Sequence, residues 1–365
     1  MALNCGIVGL TNTGKTTIFN CFSNTKAQST NYAFSASKSN IGIINIPDNR
    51  LFEINKIINS AKVVPATVEI VDIPGMAKGS SRGEGMGNKF LADIQQTHAI
   101  IHVLRCFDDD NLPHIEGSVN PVRDKEIIDL ELQIKDLEIV ERKIQRLEKI
   151  AKSGDKNVKK GIEILNIYKE HFENFGSAKT APVDDEDKKY IADLFLLTAK
   201  PVMYVCNVDE ASAVSGNKYV EQVKEAVKKE NTEVIIIAGA LESDIAELDD
   251  ADDRKAFLED SGLKEPGVNK LLQSAYKLLN LQSFFTAGPK EVRAWTIKKG
   301  TTAQQAAGVI HSDLERGFIR AEVMKYDDFI TLGSEQACKE AGKIQIEGKN
   351  YIIEEGDIVH VRFNV

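Results

Sequence analysis

Cysteine is scarce in this sequence. Five residues (Cys5, Cys21, Cys106, Cys206 and Cys338) are scattered along 365 positions, odd in number and without a C-x-x-C pair. That spacing argues against a disulfide framework and against a zinc site, and it suits a reducing cytoplasm. Long apolar runs are also missing. A stretch such as Val234-Ile235-Ile236-Ile237-Ala238 falls far below the ~18 residues of a membrane span, so no membrane association is expected. The opening Met1-Ala2-Leu3-Asn4-Cys5 lacks the cationic segment of a secretory signal, and a cytoplasmic location is the expectation. An excess of positive charge is absent too: 46 Lys and Arg face 55 Asp and Glu, a net charge of −9. A general affinity for nucleic acid is excluded on that ground; DNA is not an expected partner, and any RNA contact must be local.

What is present is an ordinary globular balance, with 42% hydrophobic and 28% charged residues. The length suits two or three domains. Short β-branched runs at Leu3–Val8, Thr67–Asp72, Ala99–Leu104, Pro201–Cys206 and Glu233–Ile237 alternate with helical patterns, which predicts a parallel α/β sheet. Ile127, Leu130, Ile134, Leu137, Val140, Ile144, Leu147 and Ile150 step by three and four, the seam of a long amphipathic, coiled-coil-like helix. A break at Ser153-Gly154-Asp155, a second helix to about Phe172 and a third helical pattern ending near Thr198 make residues 125–200 a helical hairpin insertion. From Ser283 the style changes. Strands at Val292–Ile297 and Phe318–Val323, a helix at Ala303–Ile310, and a hairpin pairing Tyr351–Ile353 with Asp357–Phe363 predict a separate α+β module. The expected domains are therefore 1–282 and 283–365. Charge is uneven: Glu141–Lys160 carries eight basic and three acidic residues, whereas Glu242–Asp260 carries nine acidic and two basic.

Gly9-Leu10-Thr11-Asn12-Thr13-Gly14-Lys15-Thr16 fits G-x-x-x-x-G-K-[ST], directly after a strand and before a helix that opens at Thr17. Such a loop turns its amides onto phosphates, with Lys15 on the β/γ oxygens and the Thr16 hydroxyl on Mg2+. Asn12, Thr13, Gly14, Lys15, Thr16 and Thr17 are the candidate phosphate-binding residues. Asp72-Ile73-Pro74-Gly75 closes a later strand as D-x-x-G, placing Asp72 near the metal through water and the Gly75 amide on the γ-phosphate. Ras-type GTPases follow that glycine with a water-orienting Gln; here it is Met76. Gly83-Glu84-Gly85-Met86-Gly87 reads as a switch loop. At the base-recognition position, Asn207-Val208-Asp209-Glu210 replaces the guanine reader N-K-x-D. Val208 and Glu210 weaken guanine readout, and the Asn207 amide can meet the N6 donor and N7 acceptor of adenine.

With these motifs in order, the sequence resembles the YchF/Obg-like ATPase family over essentially its whole length. The match extends through Arg105-Cys106-Phe107, Phe285-Thr286-Ala287-Gly288 and Glu291-Val292-Arg293-Ala294-Trp295-Thr296. The resemblance implies a P-loop NTPase G-domain with a helical hairpin, a C-terminal TGS module, ATP preferred over GTP, and association with ribosomal RNA and proteins. It also implies Mg2+, a K+ ion held at Asn12, and a catalytic loop histidine at His114. His98 and His102 read as structural. Two departures stand out: Thr11 replaces the family's proline, and Phe34-Ser35-Ala36-Ser37-Lys38-Ser39-Asn40 replaces its switch I, with Ala36 where a Mg2+-capping threonine is usual. The expected function is a slow, nucleotide-dependent regulator of translation or stress response. A GTPase switch, and an RNA-binding adaptor with vestigial hydrolysis, are the alternatives.

Overall fold

The computed structural model describes residues 3–24, 39–76, 78–80, 86–151, 155–248 and 250–364. The first-switch stretch 34–38, most of the glycine-rich 83–87 run, and Lys152 therefore lie outside the described residues. In chain order the strands are β1 (Asn4–Val8), β2 (Asn40–Asn45), β3 (Val63–Val64), β4 (Thr67–Asp72), β5 (Ala99–Arg105) and β6 (Val202–Asn207). They continue as β7 (Val234–Ile237), β8 (Leu281–Ala287), β9 (Val292–Lys298), β10 (Phe318–Met324), β11 (Gln345–Glu347) and β12 (Ile358–Phe363). The helices that matter below are α1 (Lys15–Asn24), α2 (Asn49–Ile58), α3 (Met86–Gln95), α4 (Pro121–Ala151), α5 (Lys156–Glu173), α6 (Lys218–Val227) and α7 (Gly239–Glu247).

The chain divides into two compact units, 1–42 with 69–270, and 43–68 with 271–365. The first is built on a sheet of order β2-β4-β1-β5-β6-β7. Its β4–β1, β1–β5, β5–β6 and β6–β7 pairs are parallel, as β-branched runs joined through helices require. Seven consecutive buried positions in β5 mark it as a central strand. Ile73, Met76, Leu91 and Ile94 pack with Ile128 and Leu132 of α4, and a second cluster joins β6 to Val220, Val223 and Val227 of α6 and Leu241 of α7. Among the described residues no helix is long and apolar enough to cross a membrane.

The long helix begins at Pro121, earlier than its apolar seam suggests. Asn120 accepts the Arg123 amide (3.1 Å), so an Asn cap followed by Pro at the first helical position sets the start. Val140 and Ile144 of α4 meet Ile164, Leu165, Tyr168 and Phe172 of α5 in a core of their own. The third helix expected near Tyr190–Leu197 does not form; short 3₁₀ turns take its place. The cause is α4 itself. Buried Asp136 accepts Leu197 N (2.7 Å), Thr198 N (2.8 Å) and Thr198 Oγ1 (2.6 Å), and Lys143 Nζ donates to Tyr190 O (2.7 Å). Backbone groups that a helix would pair internally are paired to α4 instead.

The second unit holds a mixed sheet of order β11-β10-β12-β8-β9-β3. The expected hairpin of Tyr351–Ile353 with the last strand is replaced by other pairings. Ile352 bridges Thr302, while β12 runs antiparallel to β10 and parallel to β8. Asp357, fully buried, folds the intervening turn by accepting Glu354 N (2.9 Å) and Lys325 Nζ (2.7 Å). A break at 282/283 read from sequence also gives no place to the excursion 43–68. That segment is held in the second unit by Arg50–Glu355 and Tyr326–Glu53 contacts and by β3 pairing with β9.

Candidate functional site

The turn after β1 has a shape only small residues permit. A Cβ on Gly9 would sit 2.4 Å from Val103 O, and one on Gly14 (φ 89°) 2.1 Å from Asn207 Nδ2. Asn12 takes the left-handed region (φ 64°), which asparagine tolerates better than most residues. The loop wraps inward: Lys15 Nζ donates to Leu10 O (2.6 Å), and the buried Thr13 hydroxyl donates to the same carbonyl (3.1 Å). Thr13 thus shapes the loop through its side chain. Burial draws the Lys15 ammonium down to about 8 despite the opposing charge of Asp72.

At the end of β4, Asp72 Oδ2 accepts the Thr16 hydroxyl (3.0 Å). Its other oxygen is buried without a hydrogen-bond partner, and burial raises its pKa against the pull of Thr16 and Lys15. A hydroxyl and a carboxylate with one unsatisfied buried oxygen beside a phosphate loop fit a hard divalent cation. Thr16 and Asp72 would hold Mg2+, which supplies neutralisation of phosphate charge when bound. Gly75 lies against the loop, where a Cβ would come 3.0 Å from Thr11 Cα and 3.2 Å from Lys15 Nζ. Met76 is fully buried, so its side chain orients no water.

Thr11, Asn12, Gly14, Lys15, Thr16, Thr17 and Gly75 line one part of a cleft of about 750 Å³, and Asn207, Val208, Asp209 and Glu210 another. The amide of Asn207 is committed there. Its Nδ2 donates to Thr13 O (3.0 Å) and its Oδ1 accepts Gly239 N (2.9 Å). It therefore staples the phosphate loop to the start of α7, and the bidentate adenine contact expected of it is not the role this geometry gives. Asp209 also caps the following turn, accepting Ser212 N (2.9 Å), and Val208 and exposed Glu210 line the cleft on either side of it.

Gly239 and Ala240 add to the lining, and a further wall, Phe107, Asp108, Asp109 and Leu112, was not legible as a site in the sequence. Its signal is Arg105, a charged residue ending a buried strand whose other residues are apolar except His102. Buried Arg105 donates to Leu112 O (2.7 Å), Phe107 O (3.1 Å) and Asp109 O (3.3 Å), fixing the loop. His114 follows on the same loop but is not among the cleft walls. Its Nε2 meets Asp124 Oδ2 at 2.8 Å and its Nδ1 accepts Glu116 N (3.1 Å), with the ring almost wholly buried. Asn12 Nδ2 reaches Pro113 O at 3.4 Å, linking the phosphate loop to this segment. His98 contacts Asn4, and His102 is buried in β5, where desolvation lowers its pKa to about 3.

A parallel sheet carrying a phosphate loop at one strand end and an Asp-x-x-Gly turn at the next defines a P-loop nucleoside triphosphatase of the G-domain type. Residues 4–151 match the family described as 50S ribosome-binding GTPase, and residues 281–364 match the YchF-GTPase C-terminal family, described as a protein of unknown function. The chain is 47% identical to the ribosome-binding ATPase YchF of Bacillus subtilis and to that of Escherichia coli O157:H7, covering all of both chains in each case. It also superposes on the solved structure of the Schizosaccharomyces pombe YchF GTPase with TM-score 0.86 and 34% identity, covering 99% of this chain and 97% of that one. The chain belongs to the YchF family.

Proposed function

We propose that this protein is a ribosome-associated ATPase that uses its nucleotide state to regulate translation or a stress response from the cytoplasm. The observation that carries the reading is a cleft of nucleotide size lined by Lys15, Thr16 and Gly75, with Asp72 bonded to the Thr16 hydroxyl behind it. Its relatives with full-length matches are named ribosome-binding ATPases. Amides of the Asn12–Thr17 loop and the Lys15 ammonium hold the phosphates, and the Gly75 amide senses the γ-phosphate. Val208 and Glu210, in place of Lys and Asp, favour adenine over guanine. Asn12 holds K+ beside the phosphates.

Water activation falls to His114, the imidazole on the segment adjoining Asn12. It acts after leaving Asp124, on a loop that also borders the cleft. Residues 283–365 serve as a TGS-like docking module, and the basic stretch Glu141–Lys160 of the insertion meets ribosomal RNA. Titration with ATP, GTP and their diphosphates in K+ and in Na+, followed by turnover with and without ribosomes, tests the reading. Tighter ATP than GTP binding and ribosome-stimulated turnover support it. The Schizosaccharomyces pombe relative is named a GTPase, so a GTPase reading stands second; tighter GTP binding would establish it.

A further inference from the structure

In the first sheet β5 lies between β1 and β6. The phosphate loop follows β1, the 207–210 turn follows β6, and residues 106–113 follow β5 between them. Arg105 pairs with Asn207 across the last two strands, and Cys106 N donates to Asn207 O (2.7 Å). Four residues of this middle segment, Phe107, Asp108, Asp109 and Leu112, line the cleft. The segment is anchored on its inner side by Arg105, which is only 1% exposed. Its guanidinium donates to Phe107 O (3.1 Å), Asp109 O (3.3 Å) and Leu112 O (2.7 Å), and lies 4.7 Å from the centre of the Phe107 ring. Helix α6 adds two bonds: Asn217 Nδ2 donates to Cys106 O (2.7 Å), and the Tyr219 hydroxyl to Asp108 Oδ1 (2.9 Å). Asn12 of the phosphate loop meets the far end at Pro113 O (3.4 Å). A cation sealed from water needs acceptors in its place, and the planar guanidinium fork serves several carbonyls at once where an ammonium cannot. Three carbonyls of one short segment meeting one fork fix the path of the backbone, and with it the wall.

We propose that Arg105 is a positioning residue for the nucleoside half of the substrate: by fixing residues 107–112 it sets how tightly base and ribose are held, while the phosphates are held independently. The inference rests on the ATPase reading above. A nucleotide with its phosphates in the loop after β1 and its base at the turn after β6 passes the segment after β5. That segment offers it an aromatic ring at Phe107, an apolar side chain at Leu112 and two carboxylates, a surface suited to a base and ribose hydroxyls and unsuited to phosphate. The phosphate loop has its own scaffold, through Lys15 and Thr13 on Leu10 O and Asn207 on Thr13 O. Loosening the wall therefore costs nucleoside contacts and leaves the anion site intact.

The test compares wild type, Arg105→Lys and Arg105→Gln for the affinities of a non-hydrolysable ATP analogue and of inorganic triphosphate, both with Mg2+. Inorganic triphosphate carries the anion without base or ribose. Lys keeps the charge but cannot span three carbonyls; Gln loses the charge as well. The analogue should bind about threefold more weakly in Arg105→Lys and roughly tenfold more weakly in Arg105→Gln, with triphosphate affinity unchanged. A residue that merely supports the sheet would lower both affinities together. An equal loss of both ligands, or an unchanged ratio in the folded Lys variant, overturns the inference. If neither Arg105 variant folds, Tyr219→Phe decides, since it removes one bond to the same wall from α6. A selective loss of about threefold for the analogue supports the inference, and an unchanged ratio overturns it. Wild type binding the analogue no more tightly than triphosphate overturns it too, with the phosphate site left standing. Wild type binding neither ligand would instead overturn the ATPase reading, and the role of Arg105 with it.

Discussion

Lys15 donates to the Leu10 carbonyl, and burial lowers its pKa to about 8. Phosphate oxygens favour the charged form, so binding draws a proton onto Lys15 once the pH passes that value. ATP affinity should hold steady up to about pH 8 and then fall by up to about tenfold per pH unit. Calorimetry at pH 7 and pH 9.5 measures this, and a flat profile would remove Lys15 from the titration. Lys15→Ala should abolish ATP binding in a protein with native circular dichroism. His114 carries a different expectation. With its ring engaged by Asp124 and Glu116 away from the cleft wall, His114→Ala should leave nucleotide affinity nearly unchanged while lowering kcat by on the order of 10²-fold. Equal kcat in the two proteins would make it a structural partner of Asp124. At this scale the phosphate loop was legible because its motif is local, a few residues between one strand and one helix. Asn207 and Arg105 were less so, since their roles depend on Thr13, Gly239 and Leu112, partners that only the folded sheet brings near.

Helix α4 shows where element-level reading succeeds and where it stops. Its apolar seam gave the helix and its α5 partner, because period and length are sequence properties. The 3₁₀ path of residues 187–199 was hidden, since it depends on buried Asp136 satisfying backbone groups some sixty positions away. Asp136→Ala orphans the Leu197 and Thr198 amides, each costing about 1–3 kcal/mol, and should lower stability by a few kcal/mol in urea or thermal denaturation. The pH dependence has a definite sign. Burial, outweighing the Thr198 and Leu197 bonds, raises the folded carboxyl to about 6. The stability linked to that protonation is present in full below the ordinary carboxyl value and is lost as pH rises through about 6. The gap between wild type and variant should therefore be wider at pH 4.5 than at pH 7.5.

Across the whole chain, the excursion 43–68 was the least legible feature, because its home is decided by residues nearly three hundred positions later. Charge, by contrast, can be read directly and bears on docking. A protein of net charge −9 is repelled by a phosphate-rich surface unless a local patch overcomes that repulsion. The stretch 141–160 has the needed excess, but part of it is spent internally. Arg142 pairs with Glu138, Lys143 with Asp193 and Lys160 with Asp187. Arg146, Lys149, Lys156 and Lys159 are exposed and take part in no ion pair among the described residues, which leaves their charge available for the proposed contact with ribosomal phosphates. Each such contact releases a counterion, so ribosome co-sedimentation should weaken steeply with salt, the slope falling by about 0.7–0.9 for every contact removed. Changing all four to Gln should flatten the slope by roughly three units while isolated ATP turnover is preserved, since none of the four lines the cleft. If the quadruple variant co-sediments with an unaltered slope, the hairpin is a structural arm. Docking must then be carried by surfaces without a positive excess, such as the C-terminal module with its 11 basic and 12 acidic residues from Ser283 onward. Hydrogen bonds and shape would supply that binding, with little dependence on salt.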